Sequence, residues 1–209
     1  MSITAEAPVS PEQQSARADP AASVDVYVGI GSNIDPEREL IEGVRALREA
    51  FGDLQVSSVY RSPAFGFEGH DFLNVVAVFD SRLPADEIEA RLDAIETAGN
   101  RGHGAGRFAP RALDCDLLMV GTRVDASRRL PRDDVVRYPF VLGPLAEIAP
   151  QLRHPLDGRT FAEHWTHRRA GAALQRVGEF SALELPADAA AAVDGEDLSG
   201  HVGRVTRKV

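Results

Sequence analysis

Two aspartates separated by a single residue, Asp114 and Asp116, offer the sharpest chemistry in this chain. They lie in the run Leu113-Asp114-Cys115-Asp116-Leu117-Leu118-Met119-Val120, whose apolar content predicts a buried strand. Strand side chains alternate between faces, so both carboxylates point the same way. Two like charges so close repel each other unless a cation lies between them. Hard oxygen ligands of this kind suit Mg²⁺, which usually takes one or two carboxylates together with substrate phosphates. Directly before them runs Arg101-Gly102-His103-Gly104-Ala105-Gly106-Arg107-Phe108-Ala109-Pro110-Arg111. Its glycines loosen the backbone, and its arginines match phosphate oxygens by fork geometry. Carboxylates for metal beside guanidiniums for phosphate describe a nucleotide-phosphate site. The plain alternative is a strand ending at the surface, with arginines neutralising its acids. An isolated D-x-D would read that way; the arginine-glycine loop shifts the balance toward chemistry.

These residues need a scaffold. Val24 to Ile30, rich in β-branched residues, predicts a first strand. Asp35-Pro36 is a helix start, with a capping side chain and then a proline in the first turn. Ile41, Val44, Leu47 and Phe51 recur at helical spacing, and Gly52 closes that helix. Leu54 to Tyr60 predicts one strand. Arg61 to His70 is a loop punctuated by Pro63, Gly66 and Gly69. Its Phe65 and Phe67 suit either a lid over the core or a platform for a flat ligand. Asp71 to Phe79 predicts the third strand, in which Asn74 needs polar partners: a backbone edge or the donors and acceptors of a heterocycle. A second helix opens at Pro84, buries Ile88, Leu92 and Ile95, and ends at Gly99-Asn100.

The order strand, helix, strand, strand, helix, strand predicts an α+β fold. It matches a ferredoxin-like β-α-β-β-α-β core, an antiparallel sheet with helices on one face, plus C-terminal additions. Those additions are a charged, irregular stretch from Arg128 to Phe140, an apolar segment from Val141 to Pro150 that is helical in its second half, and an amphipathic piece at Trp165. Residues 1–23 read as a disordered tail and 24–165 as the domain. Residues 166–209 read as an acidic, alanine-rich, poorly ordered tail with no share in the core. His103, His164, His167 and His201 make no metal-ligand pattern and read as surface residues.

Composition narrows the function. With 209 residues, 44% of them hydrophobic, the chain can bury one substantial core. A net charge of -9 argues against nucleic-acid binding through bulk electrostatics, so phosphate recognition must use a local basic patch. The single cysteine, Cys115, excludes an internal disulfide and a cysteine-cluster metal site. No run approaches the roughly 20 apolar residues of a membrane span, and no secretory signal is visible. A cytoplasmic monomer acting on small molecules is the expectation, with neither nucleic acid nor membrane as partner.

The motifs Y-V-G-I-G-S-N, Y-R-S-P, D-F-L-N, P-R-A-L-D-C-D-L-L and P-F-V-L-G-P-L-A-E-I-A-P, in that order from Val24 to Trp165, resemble the hydroxymethyl-dihydropterin pyrophosphokinase family. That family passes the terminal diphosphate of ATP to the hydroxymethyl group of a dihydropterin in folate biosynthesis, releasing AMP. The resemblance implies that Asp114 and Asp116 ligate two Mg²⁺ ions on ATP, and that Arg101 and Arg111 hold the phosphates and stabilise charge at the attacked phosphorus. It implies that Phe72 and Phe140 stack on the pterin's two faces and that Asn74 reads its edge, with backbone groups of Ser62, Pro63 and Phe65 beside it. It places Glu96 at an ATP contact. Against the family's pattern, Phe108 stands where tryptophan is usual. Arg132 replaces a histidine that contacts ATP, and is positioned to take over a phosphate contact. Tyr138 takes the slot of an arginine, with Arg137 next to it, and Asp93 stands for a glutamine. These departures leave a non-catalytic paralogue, binding pterin or nucleotide, as the alternative. A nucleotidyltransferase, which also uses Gly-Ser and D-x-D, ranks below both, because Ser32 lies far in sequence from Asp114.

Overall fold

The computed structural model describes residues 22–100 and 112–184. The elements run, in chain order, β1 (Val24–Ser32), α1 (Pro36–Phe51), β2 (Leu54–Val56), β3 (Val59–Ser62), β4 (Phe72–Ser81), α2 (Ala85–Gly99), β5 (Asp114–Val120), α3 (Asp134–Arg137), α4 (Pro139–Ile148), α5 (Phe161–Arg168), β6 (Gln175–Gly178) and α6 (Phe180–Leu183). The sheet has six strands in the order β5-β1-β4-β3-β6, with β2 also on β4. Its β1–β4, β1–β5 and β3–β4 pairs are antiparallel. The expected α+β core with an antiparallel sheet is therefore the architecture found.

The two sheet faces are covered separately. Val26, Val28 and Ile30 of β1 pack with Leu40, Val44 and Leu47 of α1 and Ile88 and Leu92 of α2. Tyr27, Val76 and Leu118 face the other way and pack with Leu142 and Leu145 of α4 and Phe161 of α5. The two core helices thus share one face, as expected, and the later helices cover the opposite one.

Several boundaries differ from the sequence reading, each for a local reason. The strand expected over 54–60 breaks at Ser57-Ser58. Ser57 Oγ accepts the Val76 N–H at 3.0 Å while the Ser57 N–H donates to the Val76 carbonyl at 2.9 Å, so a side chain substitutes for one rung of the ladder. Asp35 sits at the N-terminus of α1 in a left-handed conformation, φ 47°, and its side chain makes no cap hydrogen bond. Its carboxylate instead lies 3.4 Å from the Arg38 guanidinium. Within the charged stretch, 134–137 form a helical turn, and α4 is helical from Pro139, because that proline sits at the first helical position, where no N–H is needed.

The domain boundary expected at residue 165 also moves. β6 pairs with β3, and Phe180 is buried in the core under α1 and α2. A polar knot fixes this extension. Ser58 Oγ donates to Glu147 Oε1 at 2.6 Å, the Tyr60 hydroxyl donates to Glu147 Oε2 at 2.9 Å, and Arg176 Nε donates to Ser58 Oγ at 2.9 Å. Burial first, then the Glu147 carboxylate, push the Tyr60 hydroxyl pKa well up, so it stays a donor. The tail expectations for residues 1–21 and 185–209 lie outside the described residues. Among the described residues, no helix is long and apolar enough to cross a membrane.

Candidate active site

The strand pairing places the aspartates beside a surface stripped of side chains. Asp114 pairs with Gly31 and Asp116 with Gly29 across β5 and β1, and Gly31 pairs on its other side with Asn74 of β4. Asp114, Asp116, Gly29, Gly31 and Asn74 all line one cavity on the face of the sheet shared with α4. Alternate glycines in a central strand mark a place where something approaches the backbone closely. A Cβ at Gly31 would stand 3.2 Å from Asn74 Oδ1 and 3.7 Å from a Phe72 ring carbon. The floor of the cavity is therefore bare backbone, with carboxylates along one side and an amide and an aromatic ring along the other.

The carboxylate side is built by strand alternation. Asp114 and Asp116 are half-buried on the cavity face, while Cys115 and Leu117 between and after them are buried under α1 and α2. Burial first, and then the nearby carboxylates of Glu96, Asp114 and Asp116, raise the Cys115 thiol pKa well above its usual value. Alternation keeps Leu118 on the cavity side too, and the register irregularity at Tyr27/Val28 turns Met119 to the same face. The Leu118 carbonyl accepts the Arg132 N–H at 3.0 Å, and the Arg132 guanidinium lies 2.8 Å from Asp116 Oδ1 and 2.7 Å from Asp134 Oδ2. Burial works against the charge on Arg132, but Asp116 and then Asp134 outweigh it and raise its pKa. Arg132, expected at phosphate, thus sits on the Asp116 carboxylate.

The aromatic side is built by packing between segments. Ser62, Pro63, Phe65, Phe72 and Phe140 line the same cavity, as does Phe67. Phe67 meets Phe72 edge-on at 6.2 Å and 85°. Tyr138 stacks on Phe140 at 5.1 Å and 11°, and Phe65 meets Tyr138 at 5.0 Å and 61°. One face of Phe140 is therefore taken by Tyr138. Arg137, named as a nucleotide contact, lies over the Tyr138 ring at 5.3 Å and does not line this cavity. The Asn74 side-chain amide donates to Ser62 Oγ at 3.1 Å, which leaves Oδ1 on the side of Gly31.

Glu96 is half-buried in the last turn of α2, near Cys115, and does not line the cavity. At the end of that helix Asn100 joins the two ends of the arginine-glycine segment. Its Oδ1 accepts the Ala112 and Leu113 N–H groups at 3.0 and 3.3 Å, and its amide donates to the carbonyls of Glu96 and Leu113. Arg101, Phe108 and Arg111 lie outside the described residues. Ser32 is buried, and its hydroxyl donates to the Ile34 carbonyl at 3.2 Å, away from the role a nucleotidyltransferase would give it.

Sequence reasoning missed Gly29 and Gly31. The glycines carried a signal, their i, i+2 spacing within a β-branched run; Phe67, read as a lid or a platform for a flat ligand, lines the cavity.

Residues 27–150 match the family model described as 7,8-dihydro-6-hydroxymethylpterin-pyrophosphokinase (HPPK). Relatives include the 2-amino-4-hydroxy-6-hydroxymethyldihydropteridine pyrophosphokinase of Synechocystis sp., 35% identical over 162 residues that cover 75% of this chain and 80% of that protein. The protein of the same name from Pseudomonas aeruginosa is 38% identical over 145 residues, covering 66% of this chain and 88% of its own. Among solved structures, wild-type Plasmodium falciparum HPPK-DHPS aligns with a TM-score of 0.52 at 10% identity, covering 69% of this chain and 44% of that one, a likeness of fold. With more than half its length matched by the family model, and a cavity where both acids meet the aromatic residues, the chain belongs to the HPPK family.

Proposed function

We propose that the protein transfers diphosphate from ATP to the hydroxymethyl group of 6-hydroxymethyl-7,8-dihydropterin, releasing AMP, in folate biosynthesis. The hydroxymethyl oxygen bonds to the β-phosphorus of ATP, the bond from that phosphorus to the oxygen bridging to the α-phosphate breaks, and the hydroxyl proton passes to water. The single observation that supports this reading most is that Asp114 and Asp116 share one glycine-floored cavity with Phe72, Asn74 and Phe140. A flat, polar-edged heterocycle suits the aromatic side, and a charged tail suits the acidic side only when a cation accompanies it.

The donor set fits Mg²⁺: two carboxylates on one strand face, both lining the cavity. Asp114 and Asp116 would hold two such ions, which neutralise charge on the triphosphate. Phe140 would stack on the pterin with the face that Tyr138 leaves open, and Phe72 would lie against its other face. Asn74 Oδ1 would accept from a ring N–H or amino group, with Ser62, Pro63 and Phe65 beside it. Arg132, together with Arg101 and Arg111, would meet phosphate oxygens by charge-assisted hydrogen bonds. Phe108, Glu96 and Arg137 stand as nucleotide contacts from the resemblance alone. Phosphoryl-type transfer asks little covalent chemistry of a protein, so positioning and charge stabilisation carry the rate. In the same reading the protein is a cytoplasmic monomer with small-molecule substrates only.

AMP formation from ATP and the hydroxymethyl-dihydropterin tests the proposal; pterin binding with no AMP produced overturns it. Arg132 held on Asp116 favours a second reading, a relative that keeps the pterin pocket and has lost its nucleotide half. Calorimetry with Mg·ATP separates the two, since normal Mg·ATP affinity removes the second.

A further inference from the structure

Away from the cavity, the chain between α4 and α5 makes a tight hairpin. Arg153 and Thr160 form a β-bridge, the His154 N–H donates to the Arg159 carbonyl at 2.8 Å, and the Gly158 N–H donates back to the His154 carbonyl at 2.9 Å. Gly158 takes φ 72°, a conformation that L side chains rarely adopt, and so lets the turn close. α5 follows at once. Its capping box has the Glu163 N–H donating to Thr160 Oγ1 at 3.2 Å and the Thr160 N–H donating to Glu163 Oε2 at 2.7 Å. One turn in, the His164 N–H donates to the Thr160 carbonyl at 3.0 Å, and the His164 ring reaches back to Asp157 in the hairpin.

The result is a cluster that the sequence spacing did not announce. His154 Nδ1 lies 3.4 Å from Asp157 Oδ1, and His164 Nε2 lies 3.1 Å from Asp157 Oδ2. One ligand atom from each of the three side chains falls within 4.8 Å of the others. This corrects the reading of His164 as a lone surface residue. The His154 ring is clamped edge-on against buried Phe161, at 6.1 Å and 84°.

The second, independent observation is His154 Nδ1 itself. It is buried and has no hydrogen-bond partner among the described residues, despite facing the Asp157 carboxylate. Buried polar atoms are nearly always satisfied, and an exception calls for an ion or other unseen partner. A cation seated between Nδ1 and the Asp157 carboxylate would give both a partner.

We propose that His154, Asp157 and His164 form a second metal site, taking Zn²⁺ or a transition ion of that class, which fastens the hairpin to α5. Two imidazoles and one carboxylate select such ions over Mg²⁺. Measured from Asp157 Oδ1, His154 Nδ1 at 3.4 Å and His164 Nε2 at 3.2 Å lie near the roughly 3.3–3.6 Å edge of a tetrahedron with metal–ligand bonds of about 2.0–2.2 Å, and the two ring nitrogens are within 4.8 Å of each other. Asp157 is 42% exposed at its side chain, so a fourth position opens to water. None of the three residues lines the cavity of Asp114 and Asp116, and the proposal stands apart from the function proposed above.

Zn²⁺ titration of the metal-stripped full chain tests it, followed by calorimetry and by thermal unfolding, with Co²⁺ absorption as a spectroscopic check. The expected result is one tight equivalent, a raised Tm and a visible Co²⁺ band of tetrahedral type. All three should persist in Asp114→Ala/Asp116→Ala. His164→Gln and Asp157→Asn, both at more exposed positions than His154, should each weaken Zn²⁺ by about a hundredfold or more while the metal-free protein keeps its fold. The inference is overturned if His164→Gln binds Zn²⁺ like the parent, if the acidic double variant loses the tight equivalent, or if the parent takes up none.

Discussion

The two sides of the cavity are made by different means. The acidic side is one strand: alternation along β5 and pairing to β1 turn Asp114 and Asp116 inward. The aromatic side is assembled from three places in the chain, the segment after β3, the start of β4 and the first turn of α4, which meet through ring contacts. A ladder-fixed group can be altered without disturbing its backbone, whereas a ring held by other rings shifts when a neighbour goes. Chemistry and binding should therefore separate under mutation.

The largest separation is expected at the acids. Asp114→Ala or Asp116→Ala should lower kcat by about a thousandfold or more, because metal neutralisation supplies several kcal/mol of transition-state stabilisation. Pterin affinity, measured by calorimetry, should stay within a few-fold. Near-normal turnover in either variant breaks the comparison. Next comes Gly31→Val, which puts side-chain atoms on the cavity floor within 3.2 Å of Asn74 Oδ1. Pterin binding should fall by roughly a hundredfold, in line with overpacking costs of about 1–3 kcal/mol, while the melting profile shows a folded protein. Retained affinity would mean that the ligand does not lie on the glycine floor.

Smaller effects sharpen the contrast. Phe140→Ala should raise the pterin Kd by about tenfold, an aromatic contact being worth some 0.5–1.5 kcal/mol beyond its buried area, and should leave kcat at saturation within about threefold. Tyr138→Ala, which removes only the stack on the far face of Phe140, should do less; an equal or greater loss would make Tyr138 itself the platform. Arg132→Gln is expected to raise the KM for Mg·ATP several-fold, about the loss of one hydrogen bond worth ~1 kcal/mol. A lower KM would instead identify Arg132 as a competitor of the metal at Asp116.

The same division explains what the sequence disclosed. Asp114 and Asp116 were legible because strand alternation is a local rule. Asn74 stood out as a polar amide in an apolar strand, whereas Phe72 was named by the resemblance alone. The core helices were legible from apolar spacing. What escaped depends on partners distant in the chain. Gly31 takes its meaning from its neighbours across the sheet, Asp114 and Asn74. Ser57-Ser58 interrupts a strand because of Val76, and the extension through β6 and Phe180 depends on a pairing with β3 and a knot around Glu147. His154, Asp157 and His164 match no ligand spacing, because a hairpin and a helix cap bring them together.

Cys115 carries a practical consequence of the alternation that serves its two acidic neighbours. The rule that turns the acids into the cavity turns the only sulfhydryl in the chain into the dry layer beneath the helices, 5% exposed and held protonated. A disulfide reagent reaches it only when β5 or the helices packed on it move aside. Labelling speed thus becomes a clock for the breathing of β5, and an ion or nucleotide gripping that strand should slow the clock in proportion to its occupancy.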